Sequence, residues 1–293
     1  MQTIYTIADL KLLICETRKM DKGIGLVPTM GALHAGHASL IRRSIAENDV
    51  TIVSIFVNPT QFNDKNDLAN YPRTLDADCQ MIGTVKSEVE AAIATTRDVV
   101  VFAPTVAEIY PKPDTRRFSF PPTDSVMEGA RRPGHFNGVC QIVSRLFEMT
   151  CPDRAYFGEK DFQQIAVIRA MMRDQGFRFR LVACPIVREE SGLALSSRNT
   201  LLTAEERETA TAISRTLFDS QELSHTLPVH ELQQHVVDKL NAIEGLEVEY
   251  FEIVNAETLL PVEKWTEARH IQGCITVYCG KRPVRLIDNV RYR

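Results

Sequence analysis

The sequence predicts an α/β protein in which a Rossmann-like parallel sheet forms an N-terminal domain and a smaller α+β domain follows. Apolar, β-branched runs recur at Ile24 to Val27, Val50 to Val57, Val99 to Ala103, Ala155 to Phe157 and Leu181 to Val187. These runs are nearly continuous rather than alternating, as expected of strands covered on both faces. Between them lie segments with helical spacing, such as Leu40, Ile41, Ser44 and Ile45, and alternating strands and helices imply a parallel sheet with helices on both sides.

The pattern changes after Arg188. Thr203-Ala204-Glu205-Glu206 reads as a capping box opening a helix, and a second helix spans Val229 to Ala242. Glu247 to Val254 and Gly273 to Tyr278 look extended, and Val284 to Asn289 suits a closing strand. The expected domains are therefore 1–187 and 188–293, with a boundary near Val187 and the smaller domain read as a lid. The Pro-rich stretch Pro104 to Pro122 reads as a long surface excursion with the character of a lid.

A chain of 293 residues can bury a core without disulfides or a structural metal. Its content of 25% charged and 44% hydrophobic residues is that of a globular protein and excludes disordered or fibrous classes. A formal net charge of −4 disfavours nucleic acid or an anionic membrane as a bulk partner, while a local basic cluster can still grip phosphate. The cysteines number seven and form no CxxC pair, which suits a reducing compartment. No basic segment leads into an apolar one at the N-terminus, and no run approaches the roughly 18 apolar residues of a membrane span. The expectation is a cytoplasmic enzyme.

The strongest local signal is Pro28-Thr29-Met30-Gly31-Ala32-Leu33-His34-Ala35-Gly36-His37, which follows the first of these strands and opens an amphipathic helix. In a parallel sheet such a turn lies at the carboxyl end of the strands, where ligands bind, and the unpaired N–H groups of the new helix favour an anion. Two imidazoles there can donate to phosphate oxygens, and Gly36 leaves room for a nucleotide to approach the backbone. A capping or core role would explain either histidine alone; the His-x-Gly-His spacing directly after a strand favours a triphosphate cradle.

Phe157-Gly158-Glu159-Lys160-Asp161 follows another strand, so its lysine belongs at the same sheet edge as a point charge for phosphate. In Leu195-Ser196-Ser197-Arg198-Asn199, hydroxyl and guanidinium donors suit oxygens that gain charge when an α-phosphorus is attacked. Gln61 and Gln164 offer amides that can fix a hydroxylated acid without neutralising its carboxylate. The loop Glu128 to Phe136 gathers basic residues that fit phosphate contact and a solvated surface equally well. Asp76 and Asp78 open a helical pattern; they could approach Mg²⁺ on ATP, although acids in a first turn also complement the helix dipole. His225, His230, His235 and His270 form no metal set, because a five-residue spacing does not align ligands on one helix face.

Taken together these motifs resemble the pantoate–β-alanine ligase family, the pantothenate synthetases of the nucleotidyltransferase superfamily. Pro28 to His37, Ser54 to Phe62, Tyr71 to Thr74, Phe102 to Pro111, Glu128 to Phe136, Phe157 to Gln164, Leu193 to Asn199 and Arg285 to Asn289 all carry the likeness. The resemblance implies that ATP lies on Met30, Gly31, Ala32, Leu33, His34, Ala35, Gly36 and His37, on Gly158, Glu159, Lys160 and Asp161, near Val187, and on Leu195, Ser196, Ser197 and Arg198. It implies that Gln61 and Gln164 hold pantoate, and that His34, His37, Lys160 and Arg198 stabilise charge as a pantoyl-adenylate forms. It also implies that β-alanine then takes the acyl group, that Mg²⁺ accompanies ATP with Asp78 as a candidate ligand, and that the protein is a homodimer. Met81 to Asp98 is longer than is usual for the family. A nucleotidyltransferase that stops at pyrophosphate release shares the cradle, but the two glutamines favour a carboxylate acceptor. A tRNA synthetase is disfavoured by the short chain, and a silent nucleotide-binding module by the presence of every charge-stabilising residue.

Overall fold

The computed structural model describes residues 1–62 and 65–293. Six parallel strands form the larger sheet: β1 (Gln2–Ile4), β2 (Ile24–Thr29), β3 (Val50–Ile55), β4 (Asp98–Phe102), β5 (Arg154–Gly158) and β6 (Arg180–Cys184), in the order β1-β4-β3-β2-β5-β6. Val50 through Ser54 are all buried, as the nearly continuous apolar and β-branched run Val50 to Val53 leads one to expect of a central strand. The chain leaves β2 toward β3 on one side and enters β5 on the other, so the strand order reverses between β2 and β5, which pair through Gly25 with Arg154 and Leu26 with Ala155. A reversal of this kind opens a crevice at the carboxyl ends of the strands, where ligands of doubly wound sheets bind. The turn after β2, which bears the His-x-Gly-His motif, lies at that end of the sheet.

Helix Ala35–Glu47 buries Ala38, Leu40, Ile41, Ser44 and Ile45, the stripe its spacing predicts. The long segment Met81 to Asp98 mostly extends helix Leu75–Ile93, whose Ile82, Val85 and Val89 join Ile41, Ile45 and Val53 in the core. At the foot of the sheet the buried Asn48 amide donates to the Tyr156 hydroxyl, 2.8 Å, and that hydroxyl donates to Glu47, 2.9 Å. Burial above all, and the neighbouring Glu47, push the Tyr156 phenol well above its ordinary value, so it stays a neutral donor.

A second sheet is antiparallel, with β7 (Leu246–Asn255), β8 (Ile271–Cys279) and β9 (Val284–Arg291) in that order. Helices Ala204–Leu223 and Val229–Asn241 share its core through Leu217, Leu232, Val236, Phe251, Ile275 and Val277. The capping box forms as read: the Thr203 hydroxyl accepts from the Glu206 N–H at 3.2 Å and the Glu206 carboxylate accepts from the Thr203 N–H at 2.9 Å. The chain divides into two compact units, the first comprising residues 1–120, 132–159 and 167–184, and the second 121–131, 160–166 and 185–293. Residues 121–131, 160–166 and 185–187, which the expected boundary near Val187 places in the first domain, thus belong to the second unit.

Within the first unit, the Pro-rich excursion is fastened along its middle rather than left loose. The Asp114 carboxylate, 1% exposed, receives both Arg116 and Arg145 at 2.8 Å. Gln141 donates to the carbonyls of Asp114 and Arg116, and Asn137 accepts from the Phe118 N–H.

Candidate functional site

The turn after β2 is built to present two imidazoles. Gly31 at φ +83° and Ala32 at φ +49° reverse the chain, and His34 is the N-cap of helix Ala35–Glu47. His34 Nδ1 accepts from the Gly36 N–H at 3.1 Å, and His37 Nδ1 accepts from the His34 N–H at 3.3 Å, a capping box made of two histidines. A ring nitrogen that accepts carries no proton, so both neutral rings hold theirs on Nε2. The rings lie 4.2 Å apart at 49°. Behind the turn stands Asp78, 2% exposed, whose carboxylate accepts from the N–H groups of Ala32 at 3.1 Å and Leu33 at 2.8 Å and from the Thr74 hydroxyl at 3.2 Å. A cleft of about 270 Å³ lined by Met30, Gly31, Arg73, Thr74 and Asp78 adjoins the turn.

Gln61 ends the short turn after β3 and is held from three sides. Asn58 Nδ2 donates to Gln61 Oε1 at 3.2 Å and to the Gly138 carbonyl at 3.0 Å, and Gln61 Nε2 reaches Met30 Sδ at 2.9 Å. His135 Nδ1 donates to the Gln61 carbonyl at 2.8 Å, and Arg132 donates to its Nε2 at 3.2 Å. A carbonyl only accepts and a guanidinium only donates, so this ring takes the tautomer opposite to that of His34 and His37. Tyr110 donates to Asn58 Oδ1 at 2.9 Å; burial first, then the Asp114 charge, push its phenol above the ordinary value and keep it a donor.

In the second unit, Lys160, Ser196, Asn199 and Asp288 line one small recess. Asn199 Nδ2 donates to the Ala194 carbonyl at 3.0 Å and to Glu189, which fixes the loop bearing Leu195 to Arg198. The Leu195 N–H donates to the Val187 carbonyl at 3.0 Å, which brings Val187 to the same loop. Gln163 and Gln164 separate in role: Gln163, 5% exposed, donates to the carbonyls of Thr123 and Val126 and accepts from the Glu128 N–H. Gln164, half-buried, makes no such bond among the described residues.

β9 supplies anchors that sequence reasoning missed. Arg188 forms a bidentate pair with Asp288 at 2.6 and 2.9 Å, and Asn289 Nδ2 donates to the Lys160 carbonyl at 3.1 Å. Arg285 joins Glu128 and Glu249 at 2.7 and 2.6 Å; burial opposes its charge, but the hydrogen bonds to Glu128 outweigh it and raise its value. Glu128, Arg131 and Arg132 are thereby committed to protein contacts, Arg131 lying over the Tyr250 ring at 5.6 Å. The sequence marks Val284 to Asn289 as a strand, but Glu128, Arg188 and Lys160, the partners of Arg285, Asp288 and Asn289, lie 100 or more residues away and leave no local signal.

Among the described residues no group of three or more His, Cys, Asp or Glu side chains is arranged to hold a metal ion. Asp78, the candidate Mg²⁺ ligand, accepts instead from the N–H groups of Ala32 and Leu33 and from the Thr74 hydroxyl.

A doubly wound sheet with a histidine-capped helix at its switch point has the architecture of an enzyme that binds an anionic ligand at the carboxyl ends of its strands. The family model "Pantoate-beta-alanine ligase" matches residues 2–291. A pantothenate synthetase of Bacteroides fragilis (strain YCH46) is 59% identical over 293 residues, spanning 100% of this chain and 99% of the relative. The crystal structure of the pantothenate synthetase of Thermus thermophilus superposes with a TM-score of 0.89 at 39% identity, covering 100% and 99% of the two chains. That of the Francisella tularensis pantoate-beta-alanine ligase, complexed with beta-gamma ATP and beta-alanine, gives 0.78 at 34% identity over 100% and 98%. The chain belongs to the pantoate–β-alanine ligase family and is a ligase.

Proposed function

We propose that this protein condenses (R)-pantoate with β-alanine at the expense of ATP, giving pantothenate, AMP and pyrophosphate. One oxygen of the pantoate carboxylate attacks the α-phosphorus and pyrophosphate leaves. The free amine of β-alanine then attacks the acyl carbon, AMP leaves with the bridging oxygen, and the nitrogen loses a proton. The observation that carries this reading is the paired histidine cap: two rings held as Nε2–H donors at the anion-binding start of a helix. Neutral donors suffice there, because the charge that grows in the first step lies on phosphate oxygens and needs hydrogen bonds rather than a transferred proton. His37 therefore acts as a donor and not as an acid.

Met30 to His37, Gly158 to Asp161, Val187 and Leu195 to Arg198 bind ATP in this proposal, with Lys160 and Arg198 adding positive charge. Gln61 and Gln164 hold pantoate through its hydroxyl and carboxylate groups, Gln61 being preset by Asn58. Mg²⁺ would accompany ATP and would supply charge neutralisation on its phosphates. The seven free cysteines suit a cytoplasmic setting, and a homodimer is the expected assembly. In solution with ATP, Mg²⁺ and D-pantoate the protein should release pyrophosphate and retain an adenylate, then form AMP and pantothenate when β-alanine is added. Absence of pantoate-dependent pyrophosphate would overturn the proposal, and pyrophosphate without acyl transfer would point to a simpler nucleotidyltransferase.

A further inference from the structure

We infer that Asp78 is a positioning residue for adenylate formation: its buried carboxylate sets the conformation of the loop that places His34 and His37. The inference rests on the ATP-cradle reading above and adds a residue to it. Asp78 lies in the first turn of helix Leu75–Ile93, yet it does not serve that helix's own N–H groups. Its two oxygens divide between two consecutive backbone donors of another segment, Ala32 N–H on Oδ2 and Leu33 N–H on Oδ1, while the Thr74 hydroxyl adds a third bond to Oδ1. These amides fall within or just after the left-handed pair Gly31 and Ala32 and directly precede the His34 cap. A non-glycine residue in that backbone region is strained and persists only when its surroundings hold it. At Ala32 the holding group is Asp78. A Cβ on Gly31 would stand 3.1 Å from Asp78 Oδ2, so the carboxylate also fills the space beside the turn. Three of the roughly four acceptor sites of this buried carboxylate are taken by the Ala32 and Leu33 N–H groups and the Thr74 hydroxyl, which matches it to the loop.

Asp78→Asn separates these roles with almost no change in volume. An amide has one acceptor oxygen and one donor group, so in either orientation it sets an N–H against an N–H and frees one loop amide. Displacement of a preorganised donor by about 1 Å is enough for roughly a 10²-fold loss. In pantoate-dependent ATP–pyrophosphate exchange, Asp78→Asn is expected to lower kcat/KM for ATP about 10²-fold. The Mg²⁺ concentration at half-maximal rate and the KM for β-alanine should stay within about twofold of the parent's, a split that general loss of fold would not give. Amide hydrogen exchange at Ala32 and Leu33, followed without substrates, should quicken in the variant. Thr74→Val, which removes one bond and keeps the carboxylate, should show the same pattern at a smaller, several-fold scale, and it decides the matter if Asp78→Asn fails to fold. Unchanged exchange kinetics, or activity restored by raising Mg²⁺, would overturn the inference. If the parent protein itself shows no pantoate-dependent exchange, the proposed function falls; the amide exchange rates then still judge the anchor, and equal rates in parent and variant would refute it.

Discussion

Gly138 is the position where a single methyl group should separate pantoate binding from ATP binding. Helix His135–Thr150 lies directly against the segment that carries Gln61, and a Cβ at residue 138 would stand 2.5 Å from the Thr60 carbonyl carbon and 2.6 Å from the Gln61 nitrogen. Ordinary contact is about 3.5 Å, so helix and segment must separate by about 1 Å. Both partners are backbone, and no side-chain rotation relieves the clash. The move also stretches the Asn58 bond to the Gly138 carbonyl and the His135 bond to the Gln61 carbonyl, the contacts that preset Gln61. Overpacking of this size costs about 1–3 kcal/mol of stability, and a positioning error near 1 Å costs about 10²-fold in rate. Gly138→Ala should therefore fold, with a lowered midpoint in urea, and lose about 10²-fold in kcat/KM for pantoate. The KM for ATP should change little, because the two bonds that form the His34 and His37 cap lie wholly within the turn after β2. Pantoate saturation curves in ATP–pyrophosphate exchange measure both quantities. A kcat/KM for pantoate within about threefold of the parent's would refute the reasoning that Gln61 is a preset pantoate contact.

Lys160→Ala should reduce the rate of adenylate formation about 10²- to 10³-fold, as loss of one preorganised charge donor does, while circular dichroism reports an intact fold. A nearly unchanged single-turnover rate would remove Lys160 from its role. Asp114 should make the protein acid-sensitive: burial opposes its charge, but hydrogen bonds from Arg116 and Arg145 prevail and hold the carboxyl well below the usual range. A depressed folded value contributes stability that is present above the unfolded value of about 3.9 and lost as pH falls below it. Urea unfolding between pH 6 and pH 2 should therefore show a steeper decline for the parent than for Asp114→Asn; equal slopes would show that the pair is not coupled to folding.

The parallel sheet was legible because strands covered on both faces read as near-continuous apolar and β-branched runs, and Val50 to Ser54 are buried throughout. β1, only Gln2–Ile4, was not, since three residues carry no period. The run Leu181 to Val187 overshot β6, which stops at Cys184 where Pro185 removes a donor. The His-x-Gly-His turn could be read because its chemistry lies within a few residues of one strand. Asp78 could not be placed, since a carboxylate that serves amides 45 and 46 residues away leaves no periodic trace. Its position in a first turn pointed instead to the helix dipole. Gln163 and Gln164 are adjacent in sequence but differ by about 100° around their helix, which sends Gln163 into packing and leaves Gln164 half-buried without that role. The anchoring pairs of β9 join residues 100 positions apart in one case and 129 in another, and only folding brings them together.

The central claim is that pantoate is activated through its own carboxylate at the α-phosphorus. Pantoate labelled with ¹⁸O in both carboxylate oxygens, turned over with ATP and β-alanine, tests it through the mass of the AMP released. The AMP released should be heavier by one ¹⁸O atom and the pyrophosphate unlabelled; unlabelled AMP accompanying labelled phosphate or pyrophosphate would show that the carboxylate does not attack the α-phosphorus.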